Sequence, residues 1–139
     1  MRSNIIKVVF PLAAALGLWL VLGAQSSLAV NNVDVKQAQL MSDQGALLLD
    51  VREPSEYAEG HAPNAVLIPL GQLSSRMQEI ASYKDKPVVV MCRSGRRSAM
   101  ATNMLQEAGY SQASNISGGI KAWKSEGLEV IKGKSHVST

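Results

Sequence analysis

The chain has 139 residues, 46% of them apolar and 4% aromatic, with 14 Lys and Arg against 11 Asp and Glu and a single cysteine. That length fits one domain, and one cysteine excludes an internal disulfide, a multi-cysteine zinc site and a dithiol pair within the chain. A net charge of +3, spread along a chain with few aromatic side chains, argues against nucleic acid as a partner.

At the N-terminus, Arg2 and Lys7 precede an uncharged apolar stretch from Val8 to Gly23, followed by polar Gln25-Ser26-Ser27 and the small-residue pattern Ser27-Leu28-Ala29. These are the three parts of a secretory signal peptide. Residues 1–29 are therefore expected to be cleaved, leaving a mature domain over 30–139 in the periplasm with no stable membrane association. The competing expectation is an uncleaved membrane anchor, because Ile5 to Ala24 spans twenty residues, close to what a bilayer needs. No cysteine directly follows the apolar run, which excludes a lipid-modified cysteine anchor. Without Arg2 and Lys7, 12 basic residues face 11 acidic ones, so most of the apparent basicity belongs to the leader.

Asp34 followed by Gln37 resembles a capping box, and Val35, Ala38 and Leu40-Met41 predict a short helix ending near Gly45. Ala46 to Val51 is a brief run, apolar but for Asp50, of the kind that forms a strand buried on both faces, and Ala65 to Ile68 repeats it. Leu70, Leu73, Met77 and Ile80 fall on one helical face before Lys84-Asp85-Lys86-Pro87 breaks the pattern. Val88 to Met91, β-branched and uncharged, is the strongest strand signal. Ala101, Met104, Leu105 and Ala108 then predict a helix that Gly109 stops. A short strand over Ala113 to Ile116 and a helix from Gly118-Gly119 through Trp123 to Gly127 complete the pattern, and the tail is expected to be polar and frayed from about 132. Short buried strands alternating with amphipathic helices predict an α/β domain with a mainly parallel sheet.

Cys92 directly follows the strongest strand, at the carboxyl edge of the sheet where open α/β folds bind ligands. The backbone N–H groups of Ser94, Gly95, Arg96 and Arg97 fall at or near the start of the next helix, free to point at an anion. With three nearby arginines, they favour the thiolate and predict a substantial ionised fraction at neutral pH. Free cysteine is often simply a small buried hydrophobe. Here the following Arg93-Ser94-Gly95-Arg96-Arg97-Ser98 is too polar and cationic for core, which favours the functional reading. Three positive charges at a helix start oppose its dipole unless an anion offsets them, so at least one arginine is expected to face the pocket mouth.

Asp50 to Tyr57, ending in Gly60-His61-Ala62-Pro63-Asn64-Ala65, follows the first buried strand on the same sheet edge as Cys92. Arg52 and Glu56 are expected to pair locally, and Asp50 to accept hydrogen bonds from the cysteine loop. His61 suggests a cysteine–histidine protease, but no protease signature surrounds Cys92, and a supporting or turn role is the better expectation. Trp123 is expected in the core.

Taken in order, Asp50-Val51-Arg52-Glu53-Pro54 through Glu56-Tyr57 to Gly60-His61, the loop Cys92 to Arg97 with Ser98, and Gly118-Gly119-Ile120-Lys121-Ala122-Trp123 resemble the rhodanese family of sulfurtransferases. The resemblance covers about Asp34 to Val130 and implies a rhodanese-like domain whose central five-stranded, mostly parallel sheet is flanked by helices. It implies a single-domain, exported thiosulfate sulfurtransferase in which Cys92 takes the outer sulfur of thiosulfate or a similar small anionic donor. The persulfide would then pass that sulfur to cyanide or a thiol acceptor. Arg93, Ser94, Gly95, Arg96, Arg97 and Ser98 would form the substrate-binding loop, with Asp50 and Arg52 supporting it. No metal or other cofactor is expected, and the protein is expected to be a monomer. Related phosphatases and arsenate reductases carry an arginine six positions after the cysteine, where this chain has Ser98, so the loop is expected to suit a single sulfur atom. A persulfide carrier or sulfide-sensing module acting on a protein partner is the alternative, and a catalytically silent interaction domain is disfavoured by the intact loop.

Overall fold

In the computed structural model, which describes residues 30–134, the elements follow one another as β1 (Asn32–Val33), α1 (Val35–Asp43), β2 (Leu47–Asp50), α2 (Pro54–Glu59), β3 (Val66–Leu67), a 3-10 turn (Leu70–Gln72), α3 (Leu73–Arg76), a 3-10 segment (Met77–Tyr83), β4 (Val88–Met91), α4 (Arg96–Glu107), β5 (Ala113–Ile116) and α5 (Gly119–Ser125). The strands form one sheet in the order β1-β5-β4-β2-β3. Every pairing is parallel. This is the expected α/β architecture, with helices on both faces. The leader expected over 1–29 lies outside the described residues.

Strands buried on both sides send alternate residues into two separate apolar layers. Leu47, Leu49, Val88 and Val90 pack with Leu73 of α3 and Ala101 and Leu105 of α4. Leu48, Val89 and Met91 pack on the other face, with Val35 and Ala38 of α1, Tyr57 of α2, and Ile120 and Trp123 of α5. Cys92 continues this alternation beyond β4 into the layer under α4, and only 1% of its surface is exposed. Its side-chain direction is set by the strand pleat. Trp123 lies in the core as expected, with its indole N–H donating to the Glu129 carbonyl at 2.8 Å.

Several elements differ from the sequence expectation. Edge strand β1 has only two residues and no hydrophobic run of its own; it exists because β5 supplies a paired edge, at the register Asn32 to Asn115 and Val33 to Ile116. In α1, Asp34 caps the helix by accepting the Gln37 N–H at 2.7 Å, but Leu40 is exposed and the buried side is Val35 and Ala38. The segment 70–83 is a chain of short helical pieces broken at Ile80 (φ −114°, ψ 17°). Leu73 and Ile80 are buried as expected. Spacings of three suit a 3-10 turn as well as an α-helix, so the apolar pattern specified the face and left the backbone open. The tail is tethered further than expected: Ile131 pairs with His61, and the Gly133 N–H donates to the Ala58 carbonyl at 2.9 Å.

Two sets of contacts organise the carboxyl edge of the sheet. At the end of β2, the fully buried Asp50 carboxylate accepts from Arg52 Nη2 at 2.7 Å, Nε at 3.0 Å and its backbone N–H at 3.0 Å. Arg52 also donates to the Glu56 and Gly60 carbonyls, so one guanidinium ties β2 to the last turn of α2. At the start of α5, the Ile120 N–H donates to the Cys92 carbonyl at 2.9 Å and the Lys121 N–H to the Arg93 carbonyl at 3.2 Å. Gly119 (φ +55°) makes this approach possible, since a Cβ there would collide with both carbonyl groups.

Asp50→Ala leaves Arg52 buried without its counter-charge and is expected to lower unfolding free energy by about 3–5 kcal/mol in urea melts. Gly119→Ala is expected to cost about 1–2 kcal/mol from its left-handed conformation alone. It should also displace the Cys92 carbonyl, so thiol reactivity should change by more than the stability loss explains.

Candidate functional site around Cys92

The carbonyls of Cys92 and Arg93 turn toward α5, and the amides of Ser94 and Gly95 face the sulfur. The Gly95 N–H donates to Cys92 Sγ at 3.1 Å, and the Ser98 hydroxyl lies 3.2 Å from the same sulfur. Gly95 stands at φ +110°, a conformation that other residues rarely adopt, and caps the start of α4. The sulfur thus sits on the floor of a cradle made of backbone and a hydroxyl.

Burial pushes the Cys92 thiol up. Hydrogen bonds from the Ser98 hydroxyl, then from the backbone N–H groups of Ser98, Gly95 and Ser94, outweigh it and leave the pKa below the ordinary thiol value. The amides of Ser94 and Gly95 contribute as expected, but the third amide is that of Ser98, not those of Arg96 or Arg97. The groups that hydrogen-bond the sulfur are thus neutral donors, as expected of the loop N–H groups, and no arginine is among them.

The arginines divide by partner. Arg97 is held by Glu56 of α2 through two 2.8 Å contacts, Nη1 to Oε1 and Nη2 to Oε2. This fork holds the Glu56 carboxyl below its usual range, against the opposing effect of burial. The expected Arg52–Glu56 pair is therefore replaced by Arg97–Glu56, with Arg52 reaching only the Glu56 backbone. Asp50 likewise accepts from Arg52 and not from the cysteine loop. Asp50 binds the planar guanidinium of Arg52 through two N–H groups, a better match than single loop amides, and with Arg52 so engaged Glu56 pairs with the guanidinium of Arg97. Arg93 and Arg96 are exposed and, among the described residues, have no ion-pair partner.

A cleft of about 390 Å³ runs between α2 and α5, with Arg93, Lys121, Lys124, Glu56 and Glu59 on its walls. Glu56 is neutralised by Arg97, so the remaining cations outnumber Glu59. The result is a positive approach beside the loop, suited to a small anion. His61 stays apart: its ring stacks on Tyr57 with centroids 3.7 Å apart, and its Nδ1 donates to the Tyr57 carbonyl at 2.8 Å. Its role is in the turn after α2, as expected.

The site also contains a residue that sequence reasoning did not single out. Asn115 of β5 accepts from the Ser98 hydroxyl at 2.6 Å through Oδ1, and its Nδ2 donates to Asn32 Oδ1 at 3.0 Å. An asparagine within a four-residue buried strand was the available signal, because buried polar side chains require partners.

Comparison with known proteins shows the family. The rhodanese-like domain family matches residues 34–126. The chain is 40% identical over 104 residues to a sulfurtransferase of Allochromatium vinosum, covering 73% of this chain and 95% of that protein. It is 34% identical over 89 residues to a thiosulfate sulfurtransferase of Pseudomonas syringae, covering 64% of this chain and 82% of the relative. A solved rhodanese-related protein from Thermoplasma volcanium superposes with a TM-score of 0.66 at 30% identity, over 73% of this chain and 97% of that one. The chain belongs to the rhodanese-like domain family of sulfurtransferases.

Proposed function

We propose that this protein transfers the outer sulfur of thiosulfate, or a similar small anionic donor, to cyanide or a thiol acceptor through a persulfide on Cys92. The observation that carries this reading is the cradle at Cys92 Sγ, built from the Gly95 amide and the Ser98 hydroxyl while Arg97 is drawn aside by Glu56. A phosphatase cradle needs an arginine turned toward a tetrahedral oxyanion. Here Arg97, one position before Ser98, is committed to Glu56, and a hydroxyl stands against the sulfur.

The thiolate attacks the outer sulfur of thiosulfate, a sulfur–sulfur bond forms at Cys92, and the donor's own sulfur–sulfur bond breaks with its electron pair leaving on sulfite. Sulfite is a stable anion, so the step requires no general acid, consistent with His61 being engaged by Tyr57. The acceptor then attacks the outer sulfur and Cys92 departs as thiolate, which the same donors stabilise. Arg93 and Arg96 supply the attraction for the anionic donor. The work is done in the periplasm after cleavage of residues 1–29, a location supported by the pattern from Arg2 to Ala29.

Incubating the protein with thiosulfate should add the mass of one sulfur atom at Cys92 and, with cyanide, release thiocyanate. Neither should occur in Cys92→Ser, and weak thiosulfate turnover beside efficient transfer from a protein persulfide would favour a carrier instead. Mass spectrometry of the exported chain reads the cleavage site directly, with an N-terminus at Val30 expected. Arg93→Ala and Arg96→Ala should each raise KM for thiosulfate roughly two- to fivefold, with little change in kcat, and the difference should shrink in high salt. Because the Cys92 pKa is lowered, sulfite release in the first turnover should rise with pH through a midpoint below that of an ordinary thiol and then level off. A midpoint at or above the ordinary value would contradict the role given to the cradle.

A further inference from the structure

We propose that Asn115 is a positioning residue for Cys92, acting by competing with the sulfur for the single proton of the Ser98 hydroxyl. The inference rests on the sulfurtransferase reading and concerns the same site. Ser98 Oγ is fully buried, 2.6 Å from Asn115 Oδ1 and 3.2 Å from Cys92 Sγ. Both neighbours are acceptors when Cys92 is ionised, yet a hydroxyl has only one proton to give. The Asn115 side chain is held in this sense from behind, because its Nδ2 donates to Asn32 Oδ1 at 3.0 Å. That contact directs Oδ1 toward Ser98.

Two arrangements of one proton follow. With Cys92 as a thiol, S–H donates to Ser98 Oγ and the Ser98 proton stays on Asn115. With Cys92 as a thiolate, the hydroxyl turns its proton to the sulfur and Asn115 Oδ1 loses its donor. When a persulfide forms, negative charge moves to the outer sulfur and the proton returns to Asn115. When the acceptor removes that sulfur, Cys92 leaves as a thiolate and the proton turns back. Asn115 thereby limits how strongly the resting thiolate is stabilised, and the hydroxyl follows the charge on Cys92 through the cycle.

Other charges around Cys92 are the same in both arrangements: Arg93 and Arg96 on the loop, Arg97 held by Glu56, Asp50 held by Arg52, and Lys121 at the start of α5. They add a constant background and do not share the Ser98 proton.

The test is a pH titration of thiolate absorbance in the free protein, with no sulfur donor present. Asn115→Ala removes the competing acceptor and should lower the Cys92 midpoint by about one pH unit. Ser98→Ala removes the donor and should raise it. The double variant should titrate like Ser98→Ala alone, since without the hydroxyl Asn115 has no route to the sulfur. Asn32→Ala, an exposed change at the sheet edge, releases the Asn115 amide and should shift the midpoint in the same direction as Asn115→Ala, by less, and only when Ser98 is present. A midpoint that rises or stays fixed in Asn115→Ala, or a shift that persists in the Ser98→Ala background, overturns the proposal. Should Asn115→Ala not fold, an unchanged midpoint in Asn32→Ala overturns it instead. Loss of the sulfurtransferase reading would show separately, as absence of sulfur uptake by the unsubstituted protein.

Discussion

The site depends on which way the peptide groups after β4 face. In a short loop, a carbonyl pointing outward leaves the neighbouring amide pointing inward, and a carbonyl pointing outward must itself find a donor. Here the first amides of α5 meet the Cys92 and Arg93 carbonyls, and Gly119 leaves room for that approach. The otherwise unsatisfied N–H groups at the start of one helix thus fix the loop that opens another. Once the carbonyls are held, Gly95 completes the turn and its amide reaches the sulfur. A buried thiol then becomes more acidic than an ordinary one, without a neighbouring base.

Charge at the site is arranged around this neutral cradle. Two carboxylates from the β2–α2 region each engage one arginine: Asp50 with Arg52 inside the protein and Glu56 with Arg97 at its edge. The first pair is fully enclosed and holds the sheet edge to α2. The second, about one-third exposed on both side chains, reaches from α2 to the first turn of α4 and leaves Arg93 and Arg96 without an ion-pair partner among the described residues. This division separates structural arginines from those available to an incoming anion. It also offsets the positive charge that three arginines would otherwise place at the positive end of a helix dipole.

Much of this was legible in the primary structure because the physics is local. Apolar runs at 46–51 and 88–91 announced the buried strands β2 and β4. The run at 65–68, expected to be buried on both faces, forms only the two-residue edge strand β3 with Val66 exposed, because no strand lies beyond it to cover that side. The polar Cys92–Ser98 segment announced a loop that does not belong in a core. What escaped was whatever depended on a partner distant in sequence. Strand β1 requires β5, Glu56 finds Arg97 rather than the nearby Arg52, and Asn115 acquires meaning only when Ser98 and Asn32 close around it. Even the helical face at 70–80 was readable as a face while its backbone continuity was not, because burial constrains side-chain direction more tightly than hydrogen-bond spacing.

By itself, then, the sequence determined the class of fold, the position of Cys92 at the end of a buried strand, and the family to which the chain belongs. The first two follow from hydrophobic period and local residue types, and the family from the resemblance carried by three ordered motifs. The tertiary structure decided the direction of each peptide group in the loop, the pairing of each carboxylate with its arginine, and the sharing of the Ser98 proton between Cys92 and Asn115. Hydrogen bonds and ion pairs depend on distances of about three ångströms and on angles. Only packed elements set those for residues far apart in the chain.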